Sequence, residues 1–414
     1  MTLLKNSLWN IGGYVIPAIV TVPALGIMGR ILGAELFGVF TLALAVVGYA
    51  SIFDAGLTRA VIREISIFRD DQKEKLRIVA TATVLILILG MVAGCLLLIF
   101  SNAITTLLKI SSGLHHEVSI ALKILSLSIP LFLITQVWLS ILEGMEKFGV
   151  LNIYKSITGT LLSLLPAVFI LIQPSLEFAI MGLVVARFLC FVIAFILCRT
   201  IIIDAGLLLH RKTVKRLFMF GGWITVSNIV SPIMAYFDRF IVSNQLGAQV
   251  VAFYTAPSEI IARLSIIPGA FARALFPRLS YATNAEERRK TKIFISLILL
   301  VICIPAIIIG SFFANSIMTI WMGPSFAGTP GIVLTILLIG FLFNSLAQVP
   351  FASIQSRGHA KVTAMVHLAE LFPYLFLLFF LINNYGIIGA AFAWSIRMFV
   401  DYILLAILDR KFSA

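Results

Sequence analysis

The sequence predicts an all-α polytopic membrane protein: twelve transmembrane helices in two six-helix halves related by a pseudo-twofold axis. Three observations carry this expectation. Of the 414 residues, 61% are hydrophobic and only 12% charged, and the mean hydropathy is +1.09. A soluble domain uses about 25% charged residues, so the solvent of this chain is mostly lipid. Next, Leu32-Gly33-Ala34-Glu35-Leu36-Phe37-Gly38-Val39-Phe40-Thr41 returns 214 positions later as Leu246-Gly247-Ala248-Gln249-Val250-Val251-Ala252-Phe253-Tyr254-Thr255. The same offset pairs Arg59 with Arg273, Gly144 with Gly358 and Lys147 with Lys361, as expected of an internal repeat. Finally, the basic residues fall in alternate loops.

Apolar runs long enough to cross a bilayer fall at about 8–28, 36–56, 78–100, 118–142, 151–172, 178–198, 217–237, 249–271, 293–314, 329–349, 362–382 and 387–408, with ends good to a few residues. The first run lacks a small-residue cleavage site after it and reads as a span, not a signal peptide. The termini and even-numbered loops carry 25 of the 31 Lys and Arg residues. They begin with Lys5 and include Arg278. The opposite side holds Arg30, Lys109, Lys123 and Arg239, while Arg187 and Arg397 lie mid-span. Both termini are therefore expected in the cytoplasm. The net charge of +13 is topological and does not imply nucleic acid as a partner. Residues 1–205 form the expected N-terminal bundle, 206–216 a cytoplasmic linker and 217–414 the C-terminal bundle. An even number of spans per half keeps the copies parallel, with the axis along the membrane normal.

Within the spans, Pro17, Pro23, Pro130, Pro166, Pro232, Pro257, Pro268 and Pro305 each remove a backbone hydrogen bond and permit a kink. Gly90 and Gly94 form a GxxxG spacing in span 3, expected to bring two helices of the same chain close together. Cys95, Cys190, Cys198 and Cys303 have no spacing partners and read as small core residues.

Ionisable groups at mid-bilayer are costly and mark function by default. Glu259 and Arg263 in span 8, and Arg397 and Asp401 in span 12, stand at i,i+4 spacing and can neutralise one another. Glu370 lies near the middle of span 11, one turn after His367. Arg187 in span 6 has no carboxylate within four residues. Arg30 and Asp238-Arg239 lie at outer span ends. No phosphate-binding glycine loop, metal-ligand cluster or nucleophile constellation stands out, and His115-His116 reads as a solvated loop. No cofactor is expected. No loop is long enough to fold as a domain, and the outer loops 173–177 and 383–386 are bare turns, which argues against an enzyme acting on a bulky external substrate, such as a polysaccharide polymerase or ligase.

The repeated Leu-Gly-Ala loops, Asp54-Ala55-Gly56-Leu57-Thr58-Arg59, Ala274-Leu275-Phe276-Pro277-Arg278-Leu279-Ser280 and Gly358-His359-Ala360-Lys361 together resemble the polysaccharide transporter family of the MOP (MATE-like) superfamily. The resemblance implies a Wzx-type flippase of the bacterial inner membrane and no catalytic activity. Its substrate would be an undecaprenyl-diphosphate-linked oligosaccharide such as an O-antigen repeat unit. It further implies a cationic cavity between the halves, a proton or sodium gradient as the drive, and a polysaccharide polymerase and chain-length regulator as partners. By location, Arg30, Arg187, Arg239, Arg263 and Arg397 are the expected substrate-binding cations. Glu259, Glu370 and Asp401 are the expected coupling acids. A MATE-type exporter of small cations is the alternative, disfavoured because mid-span arginines match the acids in number.

Overall fold

The computed structural model describes the backbone of residues 2–281 and 284–413, with side chains except at 2–15, 220–233, 235, 273–274, 276–278, 280–281, 285, 360 and 413. Lys5, Pro232, Arg273, Arg278 and most of the Ala274–Ser280 motif lie outside the described side chains.

Two compact units divide the chain, Met1–Phe237 and Asp238–Ala414. The helices of the first are α1 (Thr2–Ala50), α2 (Leu57–Ile67), α3 (Gln72–Leu107), α4 (His115–Ser126), α5 (Ser128–Gly144), α6 (Phe148–Ile172) and α7 (Leu176–Ala205). Helix α8 (Arg211–Leu246) runs through the division. The second unit continues with α9 (Val251–Leu264), α10 (Ile266–Tyr281), α11 (Ala285–Phe312), α12 (Ala314–Met322), α13 (Thr329–Ser356) and α14 (Ala360–Ser413). No strand occurs among the described residues.

Nine stretches of the described residues are long and apolar enough to cross a membrane. Two of them, Ile16–Asp54 (39 residues) and Lys361–Phe412 (52 residues), are long enough for two crossings of roughly 20 residues each. Each is two helices meeting at a glycine: Gly33 at φ 73°, ψ 176°, and Gly386 at φ 59°, ψ −138°. The 36-residue α8 stands at the seventh expected span.

The repeated loops have the same geometry. Gly247 adopts φ 92°, ψ 155°, close to Gly33, in a region that only glycine enters without strain. The register of the repeat then drifts. The N-caps of α3 and α11 are Asp71 and Asn284, 213 positions apart. After α5, the Glu146 N–H donates to Glu143 C=O and the Lys147 N–H to Leu142 C=O; after α13, Gly358 donates to Gln355 and His359 to Ile354. That offset is 212, and Glu146 (φ 58°) occupies the left-handed position that Gly358 (φ 84°) takes in the second unit. Gly144–Gly358 and Lys147–Lys361 are thus identities between non-equivalent positions.

In the first unit the Asp54 motif is a helix start. The Thr58 N–H and Oγ1–H both donate to Asp54 Oδ1, at 3.1 and 2.8 Å, satisfying a donor of the first turn of α2. The GxxxG of α3 packs within the unit. A Cβ at Gly90 would lie 2.9 Å from Pro130 Cα, and one at Gly94 3.0 Å from the Ser126 carbonyl oxygen, so only glycine admits this approach to α5 and the end of α4. Trp138 seals the adjoining core, donating Nε1–H to Thr83 Oγ1 at 3.2 Å and packing on Phe191 and Phe195.

The same helix is central in both units. The most apolar windows of Ser112–Gly144 and Thr329–Ser356 are each 61% buried, against 11% for Glu286–Phe312. Helix α11 accordingly turns Phe294, Leu297, Val301 and Ile308 outward, the surface a lipid-facing helix presents.

Candidate functional site

Arg187 is carried by α7 in the first unit. Its guanidinium lies 4.6 Å from the centroid of the Phe132 ring on α5, a cation–π contact. Its Nε is buried without a hydrogen-bond partner, and no carboxylate lies within ion-pairing distance among the described residues. Tyr154 and Cys190 are its polar neighbours, and the Tyr154 hydroxyl donates to the Cys190 carbonyl at 3.2 Å. Desolvating a guanidinium without a counter-ion is expensive, and the Phe132 ring is the contact that offsets part of that cost. Arg30 is exposed on α1, three residues before the Gly33 break.

The second unit gathers the other candidates into two clusters. In the first, Glu259 of α9 is held on both oxygens: Arg239 Nη2 lies 3.1 Å from Oε1 and Arg263 Nη2 3.0 Å from Oε2. Beside it, Asp238 accepts the Arg239 backbone N–H at 2.8 Å and the Tyr254 hydroxyl at 2.5 Å. The expected Glu259–Arg263 pair is therefore half of a triad. Its third member, twenty residues earlier on α8, is not detectable by helix periodicity. Two arginines and two acids leave the cluster formally neutral.

The second cluster lies on the two arms of α14. Arg397 Nε is 3.9 Å from Glu370 Oε2, and its guanidinium sits 5.0 Å from the Tyr374 ring centroid. His367 Nε2 is 3.5 Å from Asp401 Oδ1, with its ring stacked on Phe351. Glu370 and Asp401 are 6% and 7% exposed, and each acts electrostatically on the other, with Arg397 and His367 as the opposing charges. Both members of the expected Arg397–Asp401 pair thus reach across the Gly386 break to the other arm. Arg397 also acts on Asp238, and Tyr374 on Tyr254, joining the two clusters. Across both, four carboxylates (Asp238, Glu259, Glu370, Asp401) meet three arginines (Arg239, Arg263, Arg397). The acids of the two clusters thus outnumber the arginines by one.

Comparison with known proteins agrees with this architecture. Residues 3–283 match the family described as "Polysaccharide biosynthesis protein". The chain is 47% identical over 405 residues to a Shigella flexneri protein named "Putative O-antigen transporter", covering 98% of this chain and 97% of that one. Among solved structures, an inward-facing multidrug-resistance MATE transporter of the MOP superfamily superposes with a TM-score of 0.80 at 16% identity, over 98% of both chains. The lipid II flippase MurJ, in an inward closed conformation, superposes with a TM-score of 0.77 at 17% identity, over 96% of this chain and 87% of that one. The chain belongs to the family described as polysaccharide biosynthesis protein and shares the fold of the MATE and MurJ structures.

Proposed function

We propose that this protein is a flippase of the bacterial inner membrane. It moves an undecaprenyl-diphosphate-linked oligosaccharide, an O-antigen repeat unit, from the cytoplasmic to the periplasmic face by ion-coupled alternating access. Twelve spans hold both termini in the cytoplasm. The observation that carries this reading is the 47% identity, over nearly the whole of both chains, to the Shigella protein. A polysaccharide polymerase and its chain-length regulator then act on the delivered unit.

The geometry supports a division of labour among the intramembrane charges. Among the described residues Arg187 has no acid to neutralise it, and guanidinium binds phosphate oxygens bidentately while keeping its charge in lipid; we assign it to the substrate's diphosphate, with Arg30 at the outer mouth. Glu370 and Asp401 take up and release the coupling proton or sodium ion. Arg239, Glu259 and Arg263 hold α8 and α9 in place.

The test is deletion of the gene followed by extraction of lipid-linked intermediates. Loss of surface O-antigen with accumulation of the undecaprenyl-linked unit on the cytoplasmic side, reversed by the wild-type chain, is expected. Normal surface glycan in the deletion strain, with loss of resistance to a cationic drug, would overturn the assignment.

A further inference from the structure

The second unit contains a cavity of about 830 Å³ that none of the mid-span charges line. It is built where the start of α11, the end of α13 and the end of α14 converge. Arg288, Arg289, Lys292, Arg357 and Arg410 line it together with a single carboxylate, Asp409, a formal excess of four positive charges. Asp409 is already matched, lying 2.6 Å from Lys292 Nζ. The Nη1 of Arg357 is buried without a hydrogen-bond partner, a costly state for a cation unless an anion arrives.

Apart from Ser296 and Tyr402, the remaining wall is apolar. Ile293, Leu297, Leu346, Val349 and Pro350 continue from the cations into the unit, and Ile293 and Leu297 are 49% and 54% exposed. Along α11 the change is abrupt: cationic Lys292 is followed directly by the apolar run from Ile293. That step marks the boundary between headgroup and hydrocarbon, so the cavity is cationic at headgroup depth and greasy below it. Phe412 lines one side and is held by a stack on His359, with ring centroids 4.5 Å apart.

General enrichment of cations on one side of the membrane does not account for this arrangement. In the structural register of the repeat, Arg289 and Lys292 correspond to Leu76 and Val79 (offset 213), and Arg357 to Met145 (offset 212). The first unit, with the same fold of α3 and α5, is apolar at these three places. Arg289, Lys292 and Arg357 therefore belong to this cavity and not to the repeat, whereas Arg288 matches Lys75.

We propose that this cavity binds the phosphate head of a membrane lipid, with the chain of that lipid lying along Ile293 and Leu297. The volume suits a phosphate with its first ester-linked groups, and basic pockets at helix ends in the headgroup region take such heads. The site is separate from the path assigned to the transported diphosphate, and the proposal does not depend on what is transported.

The experiment is native mass spectrometry of the purified full-length chain, with phosphatidylglycerol, phosphatidylethanolamine and undecaprenyl phosphate offered in competition. Phosphatidylglycerol retained over the zwitterionic lipid is expected, with retention falling about five-fold in Arg357→Gln and about thirty-fold in Arg357→Gln/Arg410→Gln, from about 1 kcal/mol per cation. Arg357→Lys should keep most of it. A further preference for undecaprenyl phosphate would identify the carrier lipid as the occupant; equal retention of the two anionic lipids would identify lipid phosphate in general. Equal retention of phosphatidylglycerol and phosphatidylethanolamine by the wild type, which needs no variant to fold, would overturn the proposal. So would undiminished selectivity in the double variant.

Discussion

At the scale of the residue, what matters is whether an intramembrane charge already has a partner. Glu259 engages two arginines, each within about 3 Å, and its loss leaves Arg239 buried with Asp238 as its remaining acid and Arg263 without its ion pair. Glu259→Gln is therefore expected to destabilise the fold by about 3 kcal/mol, measured as a lowered unfolding midpoint of the purified protein. Glu370→Gln and Asp401→Asn should behave in the opposite sense. They remove a surplus negative charge, so stability is kept while gradient-driven transport is lost. Complementation of the deletion strain at normal protein levels checks this; full complementation by both amide variants would remove these acids from coupling. Arg187 provides a third contrast. Arg187→Ala should abolish transport, and Arg187→Lys should retain a part of it, because lysine supplies the charge without the bidentate fork. If Arg187→Ala transports normally, the arginine serves only to pack on Phe132.

At the scale of the element, the breaks within long helical stretches are set by backbone conformation. A Cβ at Gly33 would meet nothing within 4 Å, so the penalty of Gly33→Ala is purely conformational, about 1–3 kcal/mol. The equivalent Gly247→Ala should cost a similar amount. Gly182→Ala fails for another reason: its Cβ would lie 2.7 Å from the Leu165 carbonyl oxygen, and α6 and α7 must separate to admit it. Thermal unfolding of the three variants separates the cases: the clash in Gly182→Ala is with backbone that must move, so it should lower the unfolding midpoint more than Gly33→Ala or Gly247→Ala. A shared glycine conformation was legible from the repeated Leu-Gly-Ala. The drift of the repeat to an offset of 212 was not, because two glycines can match in sequence while a glutamate holds the left-handed position in one copy. Nearby, Arg216 bridges Glu64 and Glu74 at 3.1 and 3.0 Å and lies over the Phe68 ring. This ties the start of α8 to α2 and α3 through residues some 140 positions apart, beyond any local pattern.

At the scale of the whole molecule, topology follows from the distribution of charge. Cysteine placed at Asp70 or at Ser325, both exposed, in a chain carrying Cys95→Ser, should react with membrane-impermeant maleimide on opposite sides: Asp70→Cys only after permeabilisation, Ser325→Cys in intact spheroplasts. Reaction of both from one side would overturn the twelve-span arrangement. Composition and periodicity by themselves determined that the chain lives in lipid, that it is helical and that it is internally repeated, because these depend on sums over many residues and on the step of a helix. The i,i+4 pair of Glu259 and Arg263 was equally accessible, since one turn fixes it. Only the tertiary structure decided that Glu259 has a second arginine, that Arg397 meets Glu370 across the Gly386 break, that Arg187 has a phenyl ring and no acid among the described residues, and that residues 288, 289, 292, 357 and 410 close around one cavity. Each of these contacts depends on how one helix is rotated against another. That rotation is fixed by close approaches such as Gly90 on Pro130 and by glycine breaks such as Gly386, and hydropathy does not encode it.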